Sequence, residues 1–147
     1  MFFLSTMDEV SCGIIPVRFS TVWEFFLVQH TQSLHWGFPK GKQAQGETLW
    51  QTACRELEEE TCLQVGQQLC SEPWKERYVF SRKGRSFEKE VYYYLAEVVG
   101  SVSILPQEIA QGAWLPGDEA LFCLSYEGAR CLLQEVLDFL HTRRFHL

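Results

Sequence analysis

The chain has 147 residues and a formal net charge of −6, and it is 46% hydrophobic and 14% aromatic. This hydrophobic content excludes an intrinsically disordered chain, and the length suits one domain with one core. The negative charge argues against nonspecific nucleic-acid binding, because proteins of that class usually present a basic surface. Since no apolar run approaches the roughly 20 residues that span a bilayer, we expect no membrane partner.

The termini and the cysteines bear on compartment and domain organisation. We expect residues 1–147 to form a single domain, with residues 1–9 as a flexible N-terminus. The opening MFFLSTMDEV has neither the basic start nor the small-residue cleavage site of a signal peptide. The six cysteines include no C-x-x-C pair, so we expect reduced thiols that mostly act as small apolar side chains. Together these features predict a cytoplasmic protein, and we expect a monomer.

The first half of the chain predicts two strands, a loop and a helix. Residues 11–20 and 22–30 are rich in β-branched and aromatic side chains, which favours strands. Pro16 predicts that the first strand lies at a sheet edge or contains a bulge. Residues 32–47, QSLHWGFPKGKQAQGE, are rich in turn formers and predict a loop. Residues 47–60 contain no Gly or Pro and many helix formers, so a helix follows.

The second half predicts mostly strands and then a closing helix. Residues 62–70, CLQVGQQLC, indicate a short strand, and residues 76–100 indicate two long strands joined at the basic turn SRKGR. GAWLP, residues 112–116, indicates another short strand, and residues 125–144 form an amphipathic helical pattern. This mixture of strands and helices predicts a layered α/β or α+β fold. The basic turn is expected to be a solvated hairpin tip, although it could instead steer a polyphosphate, through Arg82, Lys83 and Arg85.

Three carboxylates share one face of the predicted helix. Glu56, Glu59 and Glu60 are three and four residues apart, so they project in the same direction. Glu56 and Glu60 also overlap the apolar stripe of the helix and should point toward the protein. Burial of unpaired carboxylates costs several kcal/mol, and Arg55 is not expected to satisfy all three, so a cation should compensate. A cluster of hard oxygen ligands suits Mg²⁺ or Mn²⁺. The alternative is a solvated acidic face, which we expect for Glu58.

The acidic cluster belongs to a longer pattern. The stretch from Gly41 to Leu63, GKQAQGETLWQTACRELEEETCL, places a glycine, a glutamate, an Arg-Glu-Leu and a Glu-Glu pair at set intervals. It resembles the Nudix box, the signature of hydrolases that cut nucleoside diphosphates linked to another moiety. Every box position matches except Cys62, where the family has glycine. Because glycine after a helix commonly adopts the left-handed conformation, Cys62 should cost about 1 kcal/mol of stability without abolishing catalysis.

The resemblance implies a fold and a metal site. The fold would be the Nudix fold, an α/β/α sandwich around a mixed β-sheet. The Gly41 carbonyl would face the metal, which Glu56, Glu59 and Glu60 would bind, and one carboxylate would serve as the base. Glu47 and Arg55 would pair with each other and orient the loop against the helix. Such a metal polarises phosphate, activates water and neutralises the leaving group.

The segments that flank the box narrow the resemblance. HWGFPKG (His35–Gly41), KEVYYYLAEV (Lys89–Val98) and LPQEIAQGAWL (Leu105–Leu115) are similar to segments of the asymmetric diadenosine tetraphosphate hydrolases. By this resemblance, Glu108 would be a catalytic or metal-binding glutamate outside the helix. Phosphate contacts and adenine stacking would come from side chains of suitable chemistry: His35, Lys40 and Lys89 for phosphate, Tyr126 and, more weakly, Tyr78 for the base.

Each flanking residue also has an ordinary structural interpretation. The lysines could be surface residues, and His35 could serve only as a hydrogen-bonding loop residue. Tyr126 could pack against the last helix, and Glu108 could lie in a solvated loop. For Glu108 the sequence favours the catalytic interpretation, because a metal cluster needs acidic oxygen ligands from beyond one helix. For His35 and Tyr126 both interpretations stay open.

The predicted activity is Mg²⁺-dependent hydrolysis of diadenosine tetraphosphate to ATP and AMP, by attack of water on a phosphate. An alternative within the enzymes is an RNA 5′-pyrophosphohydrolase or a hydrolase of other nucleoside or inositol polyphosphates. RNA should favour a longer basic track than this chain contains. A noncatalytic module that binds a nucleotide or a protein partner is the alternative outside the enzymes. A complete set of costly carboxylates argues against that alternative.

Overall fold

The computed structural model describes residues 8–145, and an eight-stranded sheet is its largest element. The elements follow one another along the chain as β1 (Glu9–Phe19), β2 (Trp23–His30), β3 (Trp36–Gly37), β4 (Lys40–Lys42), α1 (Leu49–Thr61), β5 (Gln64–Gln68), β6 (Trp74–Arg82), β7 (Arg85–Val99), β8 (Ile109–Pro116), α2 (Gly117–Cys123) and α3 (Glu127–Phe145). No helix among residues 8–145 is both long and apolar enough to cross a membrane.

The sheet is mixed and is built around β1 and β7. These two strands run parallel over nine paired residues, from Glu9 opposite Lys89 to Val17 opposite Glu97. The main path of hydrogen-bonded strands is β3-β2-β1-β7-β5. In addition, β4 pairs with β1, β6 with β7, and β8 with β2. Every pair except β1 with β7 is antiparallel. The parallel pair follows from a long connection that carries α1, as a parallel crossover requires.

Each face of the sheet buries a separate apolar cluster. On β1, Cys12 and Ile14 pack with Ala53 and Leu57 of α1, whereas Ile15 and Val17 belong to the cluster that contains α3 residues. This division follows from the two-residue period of a strand, which sends successive side chains to opposite faces. Helices therefore cover both faces, which confirms the predicted α/β/α sandwich around a mixed sheet.

Several local predictions differ from the structure. The predicted loop 32–47 contains the short strands β3 and β4, and the helix α2 was not predicted. Their brevity explains both differences: β3 and β4 have two and three residues and α2 has seven, too few for a periodic pattern to stand out. Of the predicted flexible segment, residues 1–7 lie outside the described residues, and Glu9 is already the first residue of β1.

The prediction that Pro16 marks an edge strand or a bulge is wrong, since its register with β7 also continues without a shift. β1 is an interior strand with β7 on one side and β4 and β2 on the other. The β4 ladder involves Ser11 to Gly13, and the β2 ladder begins at Val17. Pro16 lies between these two ladders, where its missing N–H removes no pairing on that side.

The predicted free thiols and the hairpin tip agree with the structure. All six cysteines are free. The turn between β6 and β7 is exposed, and it contains Lys83 and Gly84 with φ of 52° and 76°. The cytoplasmic location, the monomeric state and the single domain stay predictions.

Candidate active site

The helix α1 positions the acidic cluster. Thr48 caps its N-terminus by accepting a hydrogen bond from the backbone N–H of Gln51, and the Gln51 side chain accepts from the N–H of Thr48. This reciprocal capping box starts the helix at Leu49, two residues later than predicted. At the other end, Cys62 is left-handed with φ of 66°, which confirms the predicted conformation at this position.

A bidentate ion pair joins α1 to the loop before it. The Arg55 guanidinium donates to both carboxylate oxygens of Glu47, at 2.8 Å from Nε and 3.0 Å from Nη2. The Thr52 hydroxyl donates to the same carboxylate at 2.7 Å. The Arg55 hydrogen bonds, followed by that of Thr52, lower the pKa of Glu47 to about 2. The geometry agrees with the expected pairing, because it fastens the loop end against the helix.

Arg55 reaches more carboxylates than the sequence predicted. Its Nη1 donates to Glu56 at 3.0 Å and to Glu59 at 3.1 Å, in addition to the pair with Glu47. A guanidinium can do this because its five donors spread over a planar fork. Arg55 therefore compensates two members of the acidic trio, while none of its hydrogen bonds goes to Glu60.

Glu60 is the carboxylate of the trio that Arg55 does not reach. It is only 6% exposed, and its Oε1 is buried without a hydrogen-bond partner in the described part of the chain. Burial, and then the nearby charge of Glu56, raise the pKa of Glu60 to about 8, although Lys40 opposes this shift. An unpaired buried oxygen is costly. This orphaned oxygen fits a ligand atom for a hard divalent cation, and loss of the proton would accompany metal binding.

Gly41 provides the space that the Glu56 carboxylate occupies. A Cβ atom at Gly41 would lie 2.0 Å from Cδ of Glu56, closer than real Cβ contacts allow. Gly41 belongs to β4, which pairs with β1 at Cys12 and so holds the glycine beside α1. The box glycine and the first acidic residue of the trio are therefore in direct apposition.

The trio is not gathered into a preformed metal cage. Among residues 8–145, no group of three acidic, histidine or cysteine side chains has an arrangement that could hold a metal ion. Glu59, which shares a helix face with Glu56 and Glu60, has a side chain that is 56% exposed and pairs with Arg55. The Arg55 guanidinium draws the carboxylates of Glu56 and Glu59 to itself. Of the trio, Glu56 and Glu60 provide the inward-facing oxygens.

A cavity of about 560 Å³ lies beside these two carboxylates. We call it the acidic cavity. Glu108, which was predicted from the flanking segment, also lines it, although it comes from the loop before β8. Glu59 does not line it. The complete lining comprises one cationic, three acidic and several polar residues: His30, Gln32, Ser33, Lys40, Gly41, Glu56, Glu60, Gln107 and Glu108.

A second cavity of about 740 Å³, which we call the aromatic cavity, adjoins the first. It contains four of the predicted ligand residues: His35, Lys40, Tyr78 and Tyr126. The rings of His35 and Tyr126 meet edge to face with their centroids 4.8 Å apart, and Nδ1 of His35 shares a hydrogen bond with the Tyr126 hydroxyl. The structure therefore brings Tyr78 of β6 and Tyr126, which directly precedes α3, into this cavity.

Lys89 lies next to this recess on β7. Its Nζ is 6.0 Å from the centroid of the Tyr78 ring. Burial and then the charge of Lys40 lower the pKa of Lys89 to about 8. Lys40 and Lys89 together form a local positive site in an acidic protein, which suits an anionic ligand.

His30 and Ser33 are site residues that the sequence reasoning missed. Together with Lys40, they line both the acidic and the aromatic cavity. His30 is the last residue of β2, directly after a mostly buried run, and this strand-end position was the available signal. Burial and the charge of Lys40 lower the pKa of His30. The junction of the cavities therefore presents one ammonium and two hydrogen-bonding side chains.

Comparison of the sequence with known protein families agrees with the geometry of this site. Residues 9–135 match the NUDIX domain family. The chain belongs to the Nudix family. Its departure from the Nudix box at Cys62 leaves the helix end in the conformation that the family glycine would adopt.

The chain is also similar to individual proteins over most of their length. The chain is 37% identical over 132 residues to a bis(5′-nucleosyl)-tetraphosphatase [asymmetrical] of Rattus norvegicus, with 86% of this chain and 87% of that protein covered. It is 36% identical over 132 residues to the protein of the same name from Sus scrofa, at the same coverage. Among solved structures, a C. elegans Ap4A hydrolase binary complex has a TM-score of 0.72 at 23% identity, covering 91% of this chain and 98% of that one.

These similarities confirm the predicted family, the Nudix fold and the class of enzyme, a Nudix hydrolase. Nudix hydrolases act on small nucleotides and generally use divalent metal ions. The orphaned oxygen of Glu60 and the neighbouring oxygens of Glu56 agree with that requirement.

Proposed function

We propose that this Nudix hydrolase cleaves diadenosine tetraphosphate to ATP and AMP in a Mg²⁺-dependent reaction, with Mn²⁺ as a substitute ion. The observation that carries the proposal is the pair of adjoining cavities with Lys40, His30 and Ser33 in both linings. A nucleoside suits the aromatic cavity, and a polyphosphate suits the passage into the acidic one. The curated relatives from rat and pig carry the name of this activity.

The acidic cavity supports the hydrolytic step. When bound, the divalent ion would polarise a phosphate and lower the pKa of water. Glu56 and Glu60 would hold it through their inward oxygens, the Gly41 carbonyl lies on the adjacent strand, and Glu59 would join from the exposed side. Since Glu108 and Glu56 line the same cavity, either carboxylate is positioned to accept the proton of the attacking water.

The lysines support binding of the phosphate chain. Lys40 is shared by the two cavities and influences the ionisation of both Glu60 and Lys89. It can therefore balance charge on the carboxylate side and attract phosphate on the other. Phosphoryl transfer depends mainly on positioning and electrostatics, so a fixed cation at this junction would contribute directly to rate.

The aromatic cavity supports recognition of one adenosine. Tyr126 is 55% exposed and Tyr78 is 37% exposed, so both rings have free surface although they border a recess. A planar base gains stacking energy of roughly 1–3 kcal/mol on such a ring. The hydrogen bond between the Tyr126 hydroxyl and Nδ1 of His35 orients Tyr126, whose ring remains 55% exposed.

The proposal is tested by product analysis on a substrate panel. Purified protein with Mg²⁺ is incubated with diadenosine tetraphosphate, nucleoside triphosphates, ADP-ribose, diphosphoinositol phosphates and 5′-triphosphorylated RNA. ATP and AMP in equal amounts from the first substrate, at the highest kcat/KM of the panel, are expected. A preference for RNA or for an inositol polyphosphate would reject the proposed substrate.

A matched pair of variants distinguishes the effect of a charge inside the acidic cavity from the effect of a charge on the exposed side of α1. Glu56→Gln should lower kcat by about a hundredfold or more, since it removes a charged oxygen from the acidic cavity. Glu58→Gln removes the same charge from the exposed side of α1 and should leave kcat unchanged. Equal activity of the two variants would contradict the role of the acidic cavity.

A further inference from the structure

Glu76 is a carboxylate of the aromatic cavity that the proposed reaction does not use. It lies on β6 between Trp74 and Tyr78, and all three share one face because strand side chains alternate. Trp74 packs against Phe139 of α3, and Tyr78 lines the aromatic cavity, so this face of β6 points toward that cavity. Glu76 is itself part of the lining.

The Glu76 carboxylate is partly buried and forms no hydrogen bond or ion pair with the rest of residues 8–145. Burial raises the pKa of Glu76, and the charges of Lys40 and Lys89 oppose that shift. A carboxylate that loses hydration without gaining a partner is costly, so its place in a ligand cavity calls for a donor on the ligand.

A glycine makes room for this carboxylate. A Cβ atom at Gly128 would lie 2.1 Å from Oε2 of Glu76. Gly128 is the second residue of α3, so the carboxylate rests against the first turn of that helix. The position is therefore built into the packing between β6 and α3, and the positive end of the helix favours the ionised form.

The surroundings of Glu76 define which part of a nucleotide it can meet. Lys40 and Lys89 are close enough to influence its ionisation, whereas Tyr78 and Tyr126 provide ring faces in the same recess. A carboxylate repels phosphate and accepts hydrogen bonds only from neutral or cationic donors. The sugar is the part of a nucleotide that lies between a phosphate at the lysines and a base at the tyrosines.

We propose that Glu76 accepts hydrogen bonds from the ribose hydroxyls of the nucleoside in the aromatic cavity, and that it makes the enzyme selective for ribonucleotides over 2′-deoxyribonucleotides. A carboxylate serves the same chemical purpose toward a ribose 2′-hydroxyl in dinucleotide-binding folds. The proposal rests on the proposed function, because it assumes that a nucleoside occupies this cavity.

The test compares kcat/KM for diadenosine tetraphosphate and for its bis-2′-deoxyadenosine counterpart. The unmodified enzyme should prefer the ribose form by about tenfold or more, as expected for a hydrogen bond to a charged group. Glu76→Ala should bring the ratio close to one, and Glu76→Gln, which keeps an oxygen acceptor without the charge, should give an intermediate ratio. Glu72→Gln, an exposed residue outside the cavity, should keep the original ratio.

Binding of ATP and 2′-deoxy-ATP, measured by calorimetry on the same proteins, makes the two proposals independently testable. Hydrolysis of diadenosine tetraphosphate without any ribose preference, or with a preference that survives Glu76→Ala, would overturn the role of Glu76 alone. A ribose preference in binding that depends on Glu76, without hydrolysis of that substrate, would overturn the proposed function alone. Thermal unfolding of each variant verifies that it is folded, and Glu76→Gln retains the volume of the native side chain.

Discussion

The carboxylate of Glu56 fills the space above the backbone of Gly41. The Cδ atom of Glu56 would lie 2.0 Å from a Cβ atom at that position. Glu56 is at the same time held at 3.0 Å by Nη1 of Arg55. At this point of the contact between β4 and α1, a side chain of the helix occupies space beside a residue that has no side chain.

Gly41→Ala should lower kcat by about a hundredfold or more, because the added methyl group displaces a carboxylate of the acidic cavity. The measurement is steady-state hydrolysis together with Mg²⁺ binding by calorimetry. Gly37→Ala is the control for folding, since a Cβ there meets nothing within 4 Å and should change the free energy of unfolding by less than about 0.5 kcal/mol. Full activity of Gly41→Ala would contradict this account of the site.

Cys62→Gly should stabilise the protein by about 1 kcal/mol, because glycine adopts the left-handed conformation of this residue without the cost that a side chain imposes. The measurement is the free energy of unfolding in urea. Cys62→Ala is the matched control: it removes the thiol but keeps a Cβ atom, so it should bring no comparable gain. If the two variants were equally stable, backbone strain at Cys62 would be ruled out as the cause.

The pair between Glu47 and Arg55 should make stability depend on pH in the acid range. The pKa of Glu47 is lowered from the ordinary 4.5 to about 2 in the folded protein. Its contribution is therefore complete above about pH 4.5 and is lost as the pH falls toward 2. The stability difference between the native protein and Glu47→Gln should be largest at pH 7 and should shrink between pH 4.5 and 2.

Unfolding in urea at pH 7, 4.5 and 3 measures this dependence. Glu58→Gln provides the comparison, because Glu58 is exposed and no ion pair involves it in the part of the chain that the structure describes. A constant gap between the native protein and Glu47→Gln across this range would show that the carboxylate charge is not what Arg55 stabilises.

Lys89 should make substrate affinity depend on pH in the alkaline range. Its pKa is lowered to about 8, so the ammonium charge that attracts phosphate is present at pH 7 and declines above pH 8. KM should rise between pH 7 and 9.5, and Lys89→Arg should flatten this rise, because a guanidinium remains protonated throughout. Lys83→Arg at the exposed hairpin tip should leave the pH profile as it is in the native protein. A profile that Lys89→Arg does not alter would exclude Lys89 as the titrating group.

Much of the site could be predicted from the chain alone, because helical spacing and the box fall in one contiguous stretch. The helix and the inward direction of Glu60 depend on neighbours within 15 residues, whereas the resemblance to the Nudix box implied the pairing of Glu47 with Arg55 and the left-handed Cys62. Local geometry of this kind follows from the turn angle of a helix and the conformational cost of a Cβ atom.

Other features required the folded chain. The reach of Arg55 to Glu59, the space that Gly41 leaves for Glu56 and the interior position of Pro16 follow from how β4 and α1 pack on β1. Glu76 faces Gly128, 52 residues further along, only because β6 runs beside the start of α3. The sequence by itself determined which residue types carry the chemistry and where the acidic helix lies. Only the tertiary structure decided that His30, Ser33 and Lys40 border both cavities, because contacts between distant segments depend on strand order and packing, which have no local periodic signature.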